Sequence, residues 1–321
     1  MKKRILIILM AVIVALPMFG QLNYSDLEDA FGTFSGDVAQ SLPFAAAATG
    51  LTWSDASVRG FPHFGVGLSV SAVTIPKAAF DAVATDLGFS LPSELDELGV
   101  PLPGYALDAR LGLPILPFDI GAKFGYMTPE MGAALEGASG IAAEYLLIGT
   151  EVRFPILKGN LLLPALSIGA GYTYLDGSVA MAASGFASTI TFPEGDMDLG
   201  DPNVQFAWKT HTLDFKVQAS KGFFIITPYL GAGYSYGWSQ AGGGVKADIS
   251  YTGTSELELE STYGIEIDEQ GFLVYSDATG GSLRAFGGLS FNLFILKLDV
   301  NGQYNFNTES FGGGVNVRVQ I

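Results

Sequence analysis

The chain has 321 residues, no cysteine, 42 glycines and a formal net charge of −16. Only 15% of its residues are charged and 49% are apolar, a balance that excludes disorder, which needs low hydrophobicity and high charge. The absence of cysteine excludes disulfides, thiolate metal sites and cysteine nucleophiles, and the acidic balance argues against nucleic acid as a partner, because phosphate recognition needs a basic face.

Lys2, Lys3 and Arg4 precede an apolar run from Ile5 to Leu16, and Pro17-Met18-Phe19-Gly20 leads into Gln21. This is the layout of a secretory signal peptide over 1–20. The run is shorter than the roughly 20 residues of a bilayer-spanning helix; an uncleaved N-terminal anchor is the alternative. Cleavage removes three bases and no acid, taking the net charge from −16 to −19. No later stretch reads as a transmembrane helix.

Residues 21–60 form a segment of their own. Ser25-Asp26-Leu27-Glu28 has the form of a capping box, in which hydroxyl and carboxylate satisfy opposite orphan N–H groups. Leu27, Phe31, Phe34 and Val38 then recur at helical spacing, which predicts a helix over about 25–41, weakened by Gly32 and Gly36. Such a helix can plug a barrel, lie beneath it as a periplasmic cap, or rest on a membrane.

From Phe64 the apolar period becomes two. Ten candidate strands follow in 61–321, with uncharged faces such as Phe64-Val66-Leu68-Val70, Leu146-Ile148-Thr150-Val152-Phe154 and Val315-Val317-Val319-Ile321. The alternate faces carry Asp108, Arg110, Asp119, Lys123, Glu151, Arg153, Asp214, Lys216, Arg284, Lys297, Asp299 and Arg318. Turning such strands over would put these charges into lipid, at about 2–4 kcal/mol for each Lys or Arg near the midplane. The predicted fold is therefore all-β: an antiparallel transmembrane β-barrel of ten strands, with the charged residues lining its lumen. If 244–252 and 256–267 are barrel strands rather than a loop hairpin, the count is twelve.

The connections alternate in length. Short ones fall near 114–117, 157–161, 220–223 and 293–295, and long ones at 75–104, 128–142, 175–203 and 238–282, with a short exception at 307–310. Outer-membrane barrels have short periplasmic turns and long outer loops. Aromatic residues collect at both strand ends, among them Phe118, Phe154, Phe223 and Phe294 by the short turns and Tyr126, Tyr172, Trp238 and Phe306 by the long loops, as two interfacial girdles. Ala79, Phe80, Ala82, Val83 and Leu87 add a short helix within 78–98.

The strand Pro164-Ala165-Leu166…Gly169-Ala170-Gly171-Tyr172-Thr173-Tyr174, echoed by Pro228-Tyr229-Leu230-Gly231-Ala232-Gly233-Tyr234-Ser235-Tyr236, resembles strands of small bacterial outer-membrane barrels. The terminal Val315-Asn316-Val317-Arg318-Val319-Gln320-Ile321 resembles the C-terminal signal read by the barrel-assembly machinery, with Ile321 where an aromatic is usual. The whole layout is similar to that of uncharacterised outer-membrane barrels with an N-terminal helix, and loosely to the long-chain fatty-acid transporter class, without that class's Asn-Pro-Ala motif. The resemblance implies the cell outer membrane as the location, and outer-membrane lipid and the assembly machinery as partners.

The two histidines, His63 and His211, have no nucleophile or acid at a spacing that assembles a base within reach of its substrate. The sequence therefore predicts no enzyme, and no cofactor or metal. Acids crowd the long loops: Glu194, Asp196, Asp198 and Asp201, then Glu256, Glu258, Glu260, Glu266, Asp268 and Glu269. They read as a solvated surface, since the first cluster lacks the spacing of a calcium loop. Three functions stay open: passive transfer or binding of small, apolar molecules, with Leu27, Phe31, Phe34 and Val38 on a plug; a structural and surface-interaction barrel acting through its acidic outer loops; or a soluble exported β-protein such as a lipid carrier.

Overall fold

The computed structural model describes residues 24–50, 53, 56–76, 79, 99–139, 141–182, 188–192, 195–199, 203–246, 249–252 and 272–321. In chain order these form helix α1 (Tyr24–Ala48), strands β1 (Phe64–Ile75), β2 (Val100–Gly112) and β3 (Asp119–Tyr126), helix α2 (Pro129–Ser139), then β4 (Ile141–Lys158), β5 (Ala165–Ala182), β6 (Ser188–Phe192), β7 (Gly195–Leu199), β8 (Asn203–Ser220), β9 (Ile226–Lys246), β10 (Ile249–Thr252), β11 (Phe272–Leu293), β12 (Leu296–Asn305) and β13 (Ser310–Gln320). The expected signal peptide at 1–20 and, apart from Ala79, the helix expected within 78–98 lie outside the described residues.

Ten strands close a barrel in the order β1-β13-β12-β11-β9-β8-β5-β4-β3-β2, every neighbour antiparallel. Closure pairs Val66 of β1 with Val319 of β13 and, on its other side, with Ala109 of β2. No open edge is left in the wall, the condition for carrying strands through lipid. The three remaining strands form a separate antiparallel sheet, β10-β7-β6. No described helix is long and apolar enough to cross a membrane, which says nothing of strands.

The alternation places apolar side chains outside. Val66, Leu68 and Val70 of β1, Leu107 of β2, Val300 of β12 and Val315, Val317 and Val319 of β13 are all exposed. So wide an apolar belt is far beyond what a water-soluble surface carries.

Several strands run further than the apolar faces predicted. β8 begins at Asn203, β9 continues to Lys246 and β11 begins at Phe272. Beyond the apolar belt their outward positions become Lys209, Gln240 and Asp277, paired as Asp176–Lys209 and Gln240–Asp277. A ladder standing above the lipid needs no apolar face, so hydrophobic alternation stops before the strand does. Of the two stretches that would have raised the count to twelve, 244–252 contributes the end of β9 and the short β10, which pairs outside the barrel; 256–267 lies outside the described residues.

The loop expected at 128–142 holds α2. Its N-terminus is Thr128-Pro129-Glu130, and the Thr128 hydroxyl accepts from the Met131 N–H at 3.3 Å. Thr at the N-cap, Pro at the first helical position and an acid in the first turn are helix-start signals in the sequence.

Candidate functional site in the barrel lumen

α1 lies inside the barrel, and its contacts descend the lumen in order. At the end bearing the long loops, the Ser35 hydroxyl donates to the Val274 carbonyl at 3.2 Å, the Ser276 hydroxyl to the Gly32 carbonyl at 2.9 Å, and Phe34 meets Phe206 edge-on at 5.1 Å. Midway, the Pro43 ring packs against Gly237, where any side chain would collide with it. Deeper, the Gln303 amide donates to the Ala48 carbonyl at 3.2 Å. Beyond the helix, Trp53 lies over Gly65 of β1, and the Ala56 N–H donates to Ser220 Oγ, at the short-turn end of β8. The segment thus threads the barrel from the long-loop end to the short-turn end before entering β1. Phe34 and Val38 are buried in this packing; the side chains of Leu27 and Phe31 lie outside the described residues.

The helix runs seven residues past the end that its apolar periodicity predicts. Its last two turns, Leu42-Pro43-Phe44-Ala45-Ala46-Ala47-Ala48, carry an internal proline. An internal proline costs an exposed helix about 3 kcal/mol, and here burial of the surrounding side chains offsets it. Leu42, Phe44 and Ala46 are fully buried against the wall. The C-terminus is closed twice: Gly50 takes the left-handed conformation at φ 69°, and Lys123 Nζ donates to the carbonyl oxygens of Ala46 at 2.6 Å and Thr49 at 2.7 Å. A cation reaching from the wall satisfies the orphan carbonyls and meets the negative end of the helix dipole.

The lumen has two chemically distinct halves. Toward the long loops it is apolar: Phe34, Val38, Leu42, Ile75 and Ala241 cluster with Phe206 and Val274, and Phe44 and Ala45 pack on Val73, Leu147 and Leu175. Toward the short turns it is charged. Asp108, Arg110, Asp119, Lys123, Glu151, Arg153, Asp214, Lys216, Arg284, Asp299 and Arg318 are all buried. Lys297 is half-buried near its turn, donating to Asn292 Oδ1 at 2.6 Å.

These charges pair along the wall. Asp119 of β3 takes Arg110 of β2 at 2.8 Å and Arg153 of β4 at 2.7 Å. Glu151 of β4 takes Arg110 at 2.8 Å and Lys216 of β8 at 2.5 Å. Asp214 of β8 takes Arg284 of β11 at 2.8 Å, and Asp299 of β12 takes Arg318 of β13. Each partner sits on an adjacent strand or one strand removed. The network therefore lines the bore without crossing it.

What fills the bore at this level is Trp53. Two guanidiniums lie over its indole, with Arg318 Cζ 4.7 Å and Arg110 Cζ 5.2 Å from the ring centroid, a favourable cation–π geometry. Its Nε1–H donates to Asp108 Oδ1 at 2.9 Å, and its carbonyl accepts from Gln218 Nε2 at 2.6 Å. Gly65 makes the room: a Cβ there would stand 2.7 Å from the indole. With the segment in place, the cavities left beside Ala45 and Thr49 and beside Ala48 and Gly50 hold about 10 Å³ each, space for one water at most. The importance of Trp53 escaped the sequence reading, because a lone tryptophan between two elements carries no periodic signal.

The histidines sit apart. His63 is buried at the short-turn end beside Gln320, with Nε2 2.9 Å from the amide nitrogen. His211 faces outward, its Nδ1 2.6 Å from the Tyr172 hydroxyl. Of the acids predicted to crowd the outer loops, Asp196 and Asp198 lie on β7, in register with Thr252 and Ser250 of β10; Glu194, Asp201 and the acids from Glu256 to Glu269 lie outside the described residues.

No family model matches the chain, and no curated protein matches it. Solved structures similar to it include the outer membrane protease OmpT from Escherichia coli, at 10% identity and TM-score 0.40, covering 81% of this chain and 95% of that one. Neisserial surface protein A is similar at 12% identity and TM-score 0.26, covering 81% and 96%. A major outer membrane protein from Thermus thermophilus matches at 11% identity and TM-score 0.27, covering 80% and 99%. The likeness is one of fold, that of outer-membrane β-barrels. Two expectations change. The similarity to the long-chain fatty-acid transporter class finds no support. The exclusion of an enzyme does not stand either, because a protease is among the barrels of this kind, so the architecture gives no ground for excluding catalysis.

Proposed function

We propose that the protein is an outer-membrane barrel that binds small, largely apolar molecules in the outer half of its lumen, and passes them when its N-terminal segment is displaced. The observation that carries this reading is the division of labour inside the barrel. Most wall charges pair with one another, Lys123 and Asp108 reach inward to the N-terminal segment, and that segment, joined to the wall at its β1 end, fills the bore. An α-helix with its side chains is about 10–12 Å across, so its withdrawal would leave a bore of small-molecule width. The outer part of that bore would be lined by Ile75, Phe206, Ala241 and Val274, which now cover the apolar face of α1. A ligand of similar chemistry can compete for the same surface. The long-loop end is taken as the outer one, following the usual arrangement of such barrels.

The test is titration of the folded protein with an environment-sensitive apolar fluorophore, for the full chain and for a variant lacking 21–57. Heat-dependent gel mobility reports folding of each. Stronger binding by the deletion variant, reversed when Ile75→Glu is added to it, is the expected result. Equal and weak binding by both contradicts the reading. The second reading, a structural or surface-interaction barrel without flux, is favoured by the buried ion pairs of the wall, which suit a permanent core as well as a channel wall.

A further inference from the structure

The apolar surface does not end with the strands. Around the barrel there are five places where the chain meets the short-turn end, and each carries exposed apolar side chains. They are Phe61 and Ile321 where β1 meets β13, Ile115 and Leu116 between β2 and β3, Leu161 and Leu162 between β4 and β5, Phe223 and Phe224 between β8 and β9, and Phe294 and Ile295 between β11 and β12. Ile115 and Leu161 are 93% and 94% exposed, and Phe224 and Phe294 are fully exposed. A turn bathed in water is ordinarily built from Gly, Asn, Asp, Ser or Pro.

Turn geometry does not explain the phenylalanines. Phe224 and Phe294 adopt φ 50° and 57°, the left-handed region that glycine and asparagine enter with least strain and bulky residues rarely do. Charge is distributed in keeping with the apolar tips. Arg59 and Lys158 are exposed at this rim, and Lys221 Nζ holds the β4–β5 turn through the carbonyls of Asn160 and Leu161, both at 2.7 Å. Among the described residues the exposed acids, such as Glu130, Glu136, Glu144, Asp277 and Glu309, all lie toward the long-loop end.

We propose that the short-turn rim is immersed in the lipid leaflet, with its apolar tips in the interfacial and acyl region and its bases at the lipid phosphates. The occupant of this surface is lipid because the apolar tips encircle the whole barrel and continue the lipid-facing belt of the strands. A protein partner would cover one sector of the ring. Apolar insertion together with Lys and Arg is how interfacial segments hold anionic lipid. The proposal rests on the barrel spanning a membrane, and the experiment separates failure of the two.

The chain has no cysteine, so single cysteines report one place each. F224C, L161C, L68C on the strand belt and A134C on α2 are labelled with an environment-sensitive fluorophore. Each full-length protein is folded into vesicles of phosphatidylcholine with and without phosphatidylglycerol. Quenching is read with aqueous iodide and with lipid-borne nitroxides. The rim labels are expected to behave like the one at 68: quenched by nitroxide lipid and several-fold less by iodide than the label at 134, with deeper shielding when phosphatidylglycerol is present. Rim labels quenched by iodide as strongly as the one at 134, with 68 still shielded, overturn the immersion and point to a protein partner. An iodide-accessible label at 68 overturns the barrel's membrane setting itself.

Discussion

Lys123 and Thr49 join the barrel wall to its contents: the ammonium of one donates to the carbonyl of the other at 2.7 Å, and to Ala46 at 2.6 Å. The wall thereby supplies the cap that α1 lacks in its own last turn, where there is no basic residue. Lys123→Met keeps most of the side-chain volume and removes the donor. Buried carbonyls left without a partner cost about 1–3 kcal/mol, so the loss falls on docking of α1 rather than on the wall. Hydrogen exchange is expected to quicken for the amides of 32–48 and to stay unchanged in β8, β9 and β11. Equal acceleration in the strands would show that Lys123 supports the wall instead.

Asp119 accepts from two arginines at once and is fully buried. Asp119→Asn takes the negative charge from the pair with Arg153 and from one of the two pairs of Arg110, which keeps Glu151, and breaking a buried pair in this way costs roughly 3–5 kcal/mol. The exposed Asp176–Lys209 pair, at 3.5 Å, belongs to the class worth about 0–1 kcal/mol. Urea unfolding followed by gel mobility should therefore show a large drop in midpoint for Asp119→Asn and almost none for Lys209→Ala.

The outward register can be tested at one position. Leu68 is exposed in the middle of β1, and Arg there is expected to destabilise the folded barrel by about 2–4 kcal/mol. The same unfolding assay in lipid vesicles measures it. A neutral result would place that strand face away from acyl chains.

The direction of threading gives a labelling pattern. α1 enters the lumen from the long-loop end, so a cysteine at 23, just before it, is expected to share the accessibility of A134C. In intact cells a membrane-impermeant maleimide should modify both N23C and A134C. Modification of N23C only after the outer membrane is opened, with A134C labelled beforehand, would reverse the direction.

Much of this architecture is legible in the sequence because lipid is an exacting solvent. Charges at Asp108, Lys123, Glu151 and Arg318 can only face inward, and that fixes the register of the strands that carry them. The signal fades where the solvent changes. Outward Lys209, Gln240 and Asp277 stand above the belt, so the ends of β8, β9 and β11 look like loops. α1 is a second case. Its first turns alternate like an amphipathic helix, but its end, Phe44-Ala45-Ala46-Ala47-Ala48, is buried on all sides and has no polar face to set a period. Trp53 is a third: its partners Asp108, Arg110 and Arg318 come from strands distant in the chain, and only closure of the barrel brings them to one ring.

In the proposed function the N-terminal segment, and not the wall, closes the lumen. The most direct test is the ion conductance of the folded protein in a planar bilayer, for the full chain, for Trp53→Ala and for the variant lacking 21–57. A silent full chain is expected, with intermittent openings for Trp53→Ala as the ring held by Arg110 and Arg318 is lost, and a steady channel for the deletion. A deletion variant that folds and stays silent would contradict this, and would mean that the ion-paired wall closes the bore by itself.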